Sequence, residues 1–359
     1  MSAKKNIDAA QWITAFDNNC DVVITSRVRI ARNFSKIPFP MKATPEQMKE
    51  VAEAVKKAMK ATKSIGPCEI IELDKISQKE RQLLVEQHLS SPQHIEKPEN
   101  RLLILNRDRT VSIMVNEEDH LRIQAIVAGF QLDEAFKLAT DAEDALEETL
   151  EYAFDERLGY LCACPTNVGT GLRASVMLHL PALSIQNVVG QVLGTVPKVG
   201  LTIRGIFGEG TESSGNLVQM SNQVTLGRTE EEIVAHLIGI TKQVVEKEKE
   251  ARTVLLNTSK RQLEDRLNRA YGVMKSARLI TTEEAIRLLS EIKLGADLGM
   301  IEGLRPNLFS ELLVNIMPGH VLKNIENEVE PIDRDWMRAQ MIREKLNHTS
   351  AEDRGADKC

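Results

Sequence analysis

Asn116-Glu-Glu-Asp-His-Leu-Arg122 follows an apolar run, Val111–Val115, that reads as a strand. Glu117, Glu118, Asp119 and His120 put four ionisable side chains in a row, with Arg122 two residues on. Such residues pack poorly but suit a site that holds a cation beside an anion. Three other stretches carry chemistry. In Thr25-Ser26-Arg27-Val28-Arg29 the two arginines fall on one side of an extended segment. From Cys164 to Arg173 the chain is a glycine-punctuated loop, and it runs on into Ala174-Ser175-Val176-Met177. Arg204-Gly205-Ile206-Phe207-Gly208-Glu209 leaves a strand through a glycine-rich loop that also carries Glu212.

Together these stretches offer Arg27, Arg29, Arg122, Arg173 and Arg204. Guanidinium forks grip phosphate oxygens in pairs, so such a set can hold a triphosphate and neutralise a phosphoryl group in transfer. There is no Gly-x-x-x-x-Gly-Lys-Ser/Thr loop and no His-Arg-Asp catalytic loop, so neither common kinase architecture applies. Each piece also has a plain structural reading. The acidic run alone would be the first turn of a helix, and Cys164 alone a buried strand residue. Their co-occurrence is what favours a site.

The 359 residues allow two domains, and 42% apolar content supplies a sizeable core. With 46 basic against 52 acidic side chains the net charge is −6, which argues against nucleic-acid binding by bulk charge. No apolar run is long enough to span a membrane, and the N-terminus has no hydrophobic signal core. Five cysteines without zinc-like pairing, with Cys162 and Cys164 two apart, point to a reduced cytoplasm.

The spacing predicts a helix opened by Thr44 and Pro45, and strands at 101–105, 111–115, 159–164, 200–207 and 216–225. Helices are expected at 117–129, 133–152 and 171–180, and a long one from Thr229. Beyond Asn257 strand signals stop, and helices follow at 260–275, 281–293, 307–316 and 333–346. The fold class is therefore α+β, followed by a small all-helical C-terminal domain.

The four chemistry-bearing stretches, in this order, resemble the signature segments of the phosphagen (guanidino) kinases, the creatine and arginine kinase family. The resemblance implies a catalytic domain of mostly antiparallel sheet flanked by helices over 21–255, and a helical domain over 260–347. It implies that ATP lies along Thr25–Arg29, Arg122, Arg173–Met177 and Arg204–Gly208, with His88 on the adenine side. Glu118 and Glu209 then hold the acceptor guanidinium, and Cys164 is the active-site cysteine. Mg²⁺ enters through ATP phosphates, with no dedicated protein ligands. Phe207 stands where small-substrate members often have a further basic residue.

Only 24 residues precede Thr25, whereas family members acting on free creatine or arginine carry a helical domain there. The arrangement resembles instead a bacterial branch that phosphorylates arginine side chains of proteins. In that branch an Arg-Asp-x-x-Arg-Ala motif binds phosphoarginine, and Arg334, Asp335, Arg338 and Ala339 match it. The expected function is thus ATP-dependent phosphorylation of exposed arginines on protein substrates, with an allosteric phosphoarginine site. The alternatives are a kinase of a free guanidino metabolite and a non-catalytic phosphoarginine-binding adaptor. The branch further implies a homodimer and stress-response partners: a zinc-binding activator, a heat-shock repressor and an unfoldase–protease.

Overall fold

The computed structural model describes residues 9–15, 21–62, 65–205, 214–325 and 327–356. Ile206, Phe207, Gly208, Glu209 and Glu212 lie outside the described residues.

Among the described residues ten strands follow one another: β1 (Val23–Arg32), β2 (Cys68–Glu72), β3 (Leu102–Asn106), β4 (Val111–Val115), β5 (Leu121–Ala128), β6 (Phe154–Asp155), β7 (Gly159–Tyr160), β8 (Leu172–His179), β9 (Leu201–Gly205) and β10 (Leu217–Asn222). Eight form one antiparallel sheet in the order β2-β3-β4-β5-β1-β8-β10-β9, and β6 and β7 make a separate hairpin. The first helices are α1 (Gln11–Thr14), α2 (Pro45–Ala61), α3 (Gln78–Glu86), α4 (Pro92–Glu96) and α5 (Leu132–Glu147). Then come α6 (Pro181–Ile185), α7 (Val189–Leu193) and α8 (Glu230–Thr258). The C-terminal region holds α9 (Lys260–Ser276), α10 (Thr282–Asp297), α11 (Leu308–Asn315), α12 (Pro318–Val321) and α13 (Pro331–Ala356).

Capping chemistry sets several of these starts. Thr44 and Gln47 exchange side-chain and backbone contacts ahead of α2, with Pro45 at the first position, and Thr229 and Glu232 do the same for α8. Thr281 makes its half of such a box, accepting from the Glu284 N–H at 3.1 Å.

Two expected helices are strands. The stretch 117–129 is a hairpin turn followed by β5, and 171–180 is β8. In β5 Leu121, Ile123, Ala125 and Val127 turn to one face, and Arg122, Gln124, Ile126 and Ala128 to the other. That period of two, in a run rich in β-branched residues, outweighs the helix-start signal of the acidic run. The strand expected over 159–164 survives only as the two residues of β7.

The alternation divides the molecule into two faces. Val28 and Ile30 of β1 and Ala174 and Val176 of β8 point with Ile123 and Ala125 into the larger core, where α5 lies across β1 and β5. That core is continuous with Leu267, Leu289 and Leu312 of the C-terminal helices. On the opposite face Ile126, Ala128, Leu103 and Met114 pack against Trp12 of α1, Leu84 of α3 and Val314 of α11. The middle of that second face belongs to the arginines.

Candidate active site

Strand register assembles the cationic floor. Arg29 pairs across β1 and β8 with Arg173, Arg27 with Ser175, and Ala31 across β1 and β5 with Arg122. Paired residues share a face, so Arg27, Arg29, Arg122 and Arg173 stand together. Arg204 on β9 faces the same way, opposite Gln219 of β10. Sliding β1 by one residue would send its arginines into the apolar core and Val28 and Ile30 into the cleft.

Arg27 is anchored at both ends of its fork, donating to Ser175 Oγ at 3.3 Å and to Gln219 Oε1 at 3.0 Å. Burial, then Arg122 and Arg173, lowers its pKa to about 10. Arg29 is driven down further by burial and by Arg27, Arg122 and Arg173, and its buried Nε has no hydrogen-bond partner. Cations crowded this closely repel one another, and a polyanion between them relieves the repulsion. The intervening Ser26, Val28, Ala174 and Val176 turn away from the cleft. Ser26 Oγ donates to the Gly129 carbonyl at 2.8 Å, and the other three lie in the core. Thr25 and Met177 are opposite one another on the arginine face, both nearly inaccessible.

A cavity of about 460 Å³ opens over this floor, lined by Arg29, Arg122, Arg173, Glu117, Glu118 and Asn167 among others. The turn between β4 and β5 delivers its carboxylates. Asn116 adopts a left-handed φ of 64°, and its Nδ2 donates to the Met48 and Asn100 carbonyls at 2.8 Å each. Three consecutive acids then meet three environments. Glu117 is buried and accepts from Arg122 Nη1 at 2.5 Å and from the Ser91 hydroxyl. Burial pushes its pKa up, but Arg122, Ser91 and His94 overcome this and hold it below the usual carboxylate range. Asp119 is buried too, accepting from Asn33 Nδ2 at 2.6 Å and from the Ala163 N–H at 2.7 Å, which ties the turn to the segment leading into Cys164. Glu118 alone is exposed at the tip. Partial burial, then Asp119 and Glu117, raise its pKa, with Arg122 and Arg173 opposing. A carboxylate with raised basicity beside a bed of cations is equipped to accept a proton.

His120 is a structural contact. Its Nδ1 accepts from the Phe34 N–H at 3.1 Å and its Nε2 reaches the Pro38 carbonyl at 3.0 Å. Burial lowers its pKa to about 4.

Cys164 is half-buried, its Sγ 3.0 Å from Thr166 Oγ1. Cys162, two residues earlier, is a core thiol pushed up to about 12 by burial and then by Asp119. Gly171 lets this loop reach β1. Its φ is +67°, and a Cβ there would lie 2.6 Å from the Ala31 carbonyl oxygen.

His88 is half-buried, 5.3 Å from the Trp12 ring, and lowered to about 4 by burial and then by the Arg27 charge. In the C-terminal region Arg338 is buried. Its Nε donates to the Ile316 carbonyl and its Nη1 to the Ile280 carbonyl, both at 2.8 Å, and Nη1 also meets Asp335 Oδ1 at 2.5 Å. Arg334 is half-exposed one turn earlier, and Ala339 is buried. None of these four residues lines the cavity over the arginine floor.

Three contributors escaped the sequence reasoning. Arg101, read only as a strand start, lines the cavity as a further guanidinium with a buried, unpartnered Nε. Gln219 anchors Arg27, and the Ser91–His94 segment anchors Glu117. Each acts across a long sequence separation, and no local pattern marks them.

A family model described as ATP:guanido phosphotransferase, C-terminal catalytic domain, matches residues 50–251. One described as Protein-arginine kinase McsB C-terminal domain matches residues 260–357. Among curated relatives, a Protein-arginine kinase of Desulforamulus reducens is 47% identical over 358 residues, covering 98% of this chain and 100% of its own. Another, of Halothermothrix orenii, is 46% identical over 344 residues, 95% and 98% of the two chains. A lombricine kinase structure superposes with a TM-score of 0.59 at 27% identity, over 67% of this chain and 71% of that one. The duplicated taurocyamine kinase from Schistosoma mansoni, with bound transition state analog components, gives 0.60 at 26%, over 67% and 36%. The fold is that of the phosphagen kinases, and the chain is a phosphotransferase. It belongs to the ATP:guanido phosphotransferase family.

Proposed function

We propose that this enzyme transfers the γ-phosphoryl group of ATP to arginine side chains of proteins. The observation that carries the reading is the convergence of Arg27, Arg29, Arg122 and Arg173 on one sheet face, with Glu118 at the rim of the same cavity. The triphosphate lies along Arg27, Arg29, Arg122, Arg173 and Arg204, with the adenine toward His88. Mg²⁺ carried by the ATP phosphates would supply further neutralisation of their charge. The donor set fits that role, since Glu117 and Asp119 are already engaged by Arg122, Asn33 and Ala163.

A guanidinium is a poor nucleophile because its lone pairs are delocalised and its pKa lies above about 12. Glu118 aligns the acceptor guanidinium and takes the proton that its attacking nitrogen loses as the N–P bond forms and ADP departs. Glu209, outside the described residues, is the second aligning carboxylate, and Cys164 adds a polar contact.

The two-domain division at 21–255 and 260–347 belongs to this reading. So does a phosphoarginine site at Arg334, Asp335, Arg338 and Ala339. For such a site to form, Arg338 must offer its remaining Nη2 or release a backbone carbonyl. The match to the McsB C-terminal domain and the relatives' names support the protein-directed activity. A cytoplasmic homodimer working with a zinc-binding activator, a heat-shock repressor and an unfoldase–protease is the corresponding cellular setting. No described helix is long and apolar enough to cross a membrane.

Incubation with ATP and a basic model protein, followed by mass spectrometry under non-acidic conditions, tests the activity. Phosphoarginine on the protein is expected. Transfer to free arginine or creatine with the protein unmodified would favour a metabolite kinase, and no ATP turnover would favour an adaptor.

A further inference from the structure

We infer that Glu86 is a positioning residue for the nucleotide base: it anchors the end of α3 to the C-terminal region and thereby holds His88 beside the arginine face of the sheet. This rests on the ATP reading above and goes beyond it, because it assigns part of nucleotide selection to contacts from outside the sheet.

The starting observation is the backbone of His88. Helix α3 ends in a Schellman motif, with the Leu89 N–H on the Leu84 carbonyl and the His88 N–H on the Val85 carbonyl, each at 2.9 Å. The residue at the turn of that motif takes a left-handed conformation, and His88 has φ 61°. Glycine is the usual occupant because a Cβ is strained there. A histidine at that position is kept by something other than the turn itself.

What fixes it is a set of contacts from four directions. Gln124 Nε2, on the arginine face of β5, donates to the His88 carbonyl at 2.7 Å. Trp12 Nε1 donates to the Gln87 carbonyl, and Gln87 Oε1 accepts from the Ala10 N–H, both at 3.0 Å. The His88 ring packs against Trp12. The fourth direction is Glu86, which points away from the cleft. Its carboxylate accepts from the Gly319 N–H at 2.7 Å and the His320 N–H at 2.9 Å, and lies 2.6 Å from His320 Nδ1. It therefore caps α12, which follows α11 by two residues. The approach is so close that a Cβ on Gly319 would sit 2.8 Å from both carboxylate oxygens. Glu86 and Gly319 are 233 residues apart in sequence, and Glu86 stands two residues before His88. Arg27, Arg29, Arg122 and Arg173 hang on β1, β5 and β8, and among the described residues no hydrogen bond joins them to Glu86.

Phosphate and base recognition should therefore respond differently. Calorimetric titrations of ATP and of inorganic tripolyphosphate into the full-length protein separate them, with Glu86→Gln and, independently, Gly319→Ala as variants. The expected result is ATP affinity reduced about tenfold in both, tripolyphosphate affinity unchanged, and a raised KM for ATP with little change in kcat. If both ligands weaken alike, or neither weakens, the role of Glu86 is overturned. If the wild-type protein binds neither ligand, the ATP reading itself is overturned.

Discussion

Glu118 sits between two buried carboxylates and is the one that reaches open space. Glu117 is consumed by Arg122 and Ser91, and Asp119 by Asn33 and the Ala163 amide. Partial burial, and then their negative field, raises its proton affinity. Replacing Glu118 by Gln should lower kcat by roughly 10²–10⁴-fold while ATP affinity is largely kept, as removal of a general base does. A binding assay beside a rate assay checks both halves. The pH profile carries the same signature. The base must be ionised, and its pKa is raised, so kcat/KM should begin to fall on the acid side at a higher pH than an ordinary carboxylate would dictate. Glu118→Gln should abolish that limb. Glu117→Gln makes a contrasting case: it leaves Arg122 facing the other cations with its counter-charge gone. ATP binding should change more than the pH profile, and a loss confined to kcat would contradict the anchoring role.

Elements place these side chains by period and register. The strand at Val111–Val115 and the α2 and α8 capping boxes were legible because each signal is local: an apolar run, or a threonine followed three residues later by Gln or Glu. The stretch Leu121–Ala128 was misread because three acids before an apolar run also mark a helix start. Its alternation of Arg122, Gln124 and Ile126 with Leu121, Ile123 and Ala125 was the better guide, and Leu172–His179 is a strand with the same period of two. The arginines were legible as types; their convergence needed the pairing of β1 with β5 and β8, which no single segment encodes. The anchors Gln219 and Ser91 and the cavity-lining Arg101 were illegible for the same reason. At this scale Asp119 is the fastener between the β4–β5 turn and the segment before Cys164. Asp119→Ala strands the Asn33 amide and the Ala163 N–H, which should cost roughly 1–3 kcal/mol in denaturant unfolding. Phosphotransfer should drop with it, since the turn carries Glu118. Unchanged activity in a destabilised variant would show that the turn holds its place without that tie.

Across the whole molecule, buried charge knits the C-terminal helices to the catalytic sheet. Glu248 of α8 accepts from the Ala182 and Leu183 amides of α6 and from Arg252 Nε, all at 3.0 Å. Arg252 also reaches the Asp21 carbonyl, just before β1, at 3.1 Å, and Asp297 of α10 at 3.4 Å. Arg338 similarly bolts α13 to the Ile280 and Ile316 carbonyls. Arg338→Ala should therefore cost about 3 kcal/mol of stability, as loss of a buried, multiply bonded cation does. A thermal melt shows whether it does so independently of any phosphoarginine effect.

Acid stability is the other global property. His94 and His120 are held to about 4, by burial first, against an ordinary 6.5. Their folded pKa values are depressed, so the unfolded chain takes up protons first as pH falls below 6.5. Stability should be full above that pH and decline toward pH 4, with a slope of up to about 1.4 kcal/mol per unit for each histidine. Urea midpoints flat across that window would contradict the buried neutral assignment.

In the proposed reaction one cleft moves a phosphoryl group from ATP to a guanidinium nitrogen with Glu118 as the proton acceptor. Label transfer from γ-³²P-ATP to a basic protein, compared between wild type and Glu118→Gln and split by acid lability, tests it most directly. Acid-labile label on the wild-type reaction, lost in the variant while ATP still binds, is the predicted result. Acid-stable label, or undiminished transfer by Glu118→Gln, would contradict it.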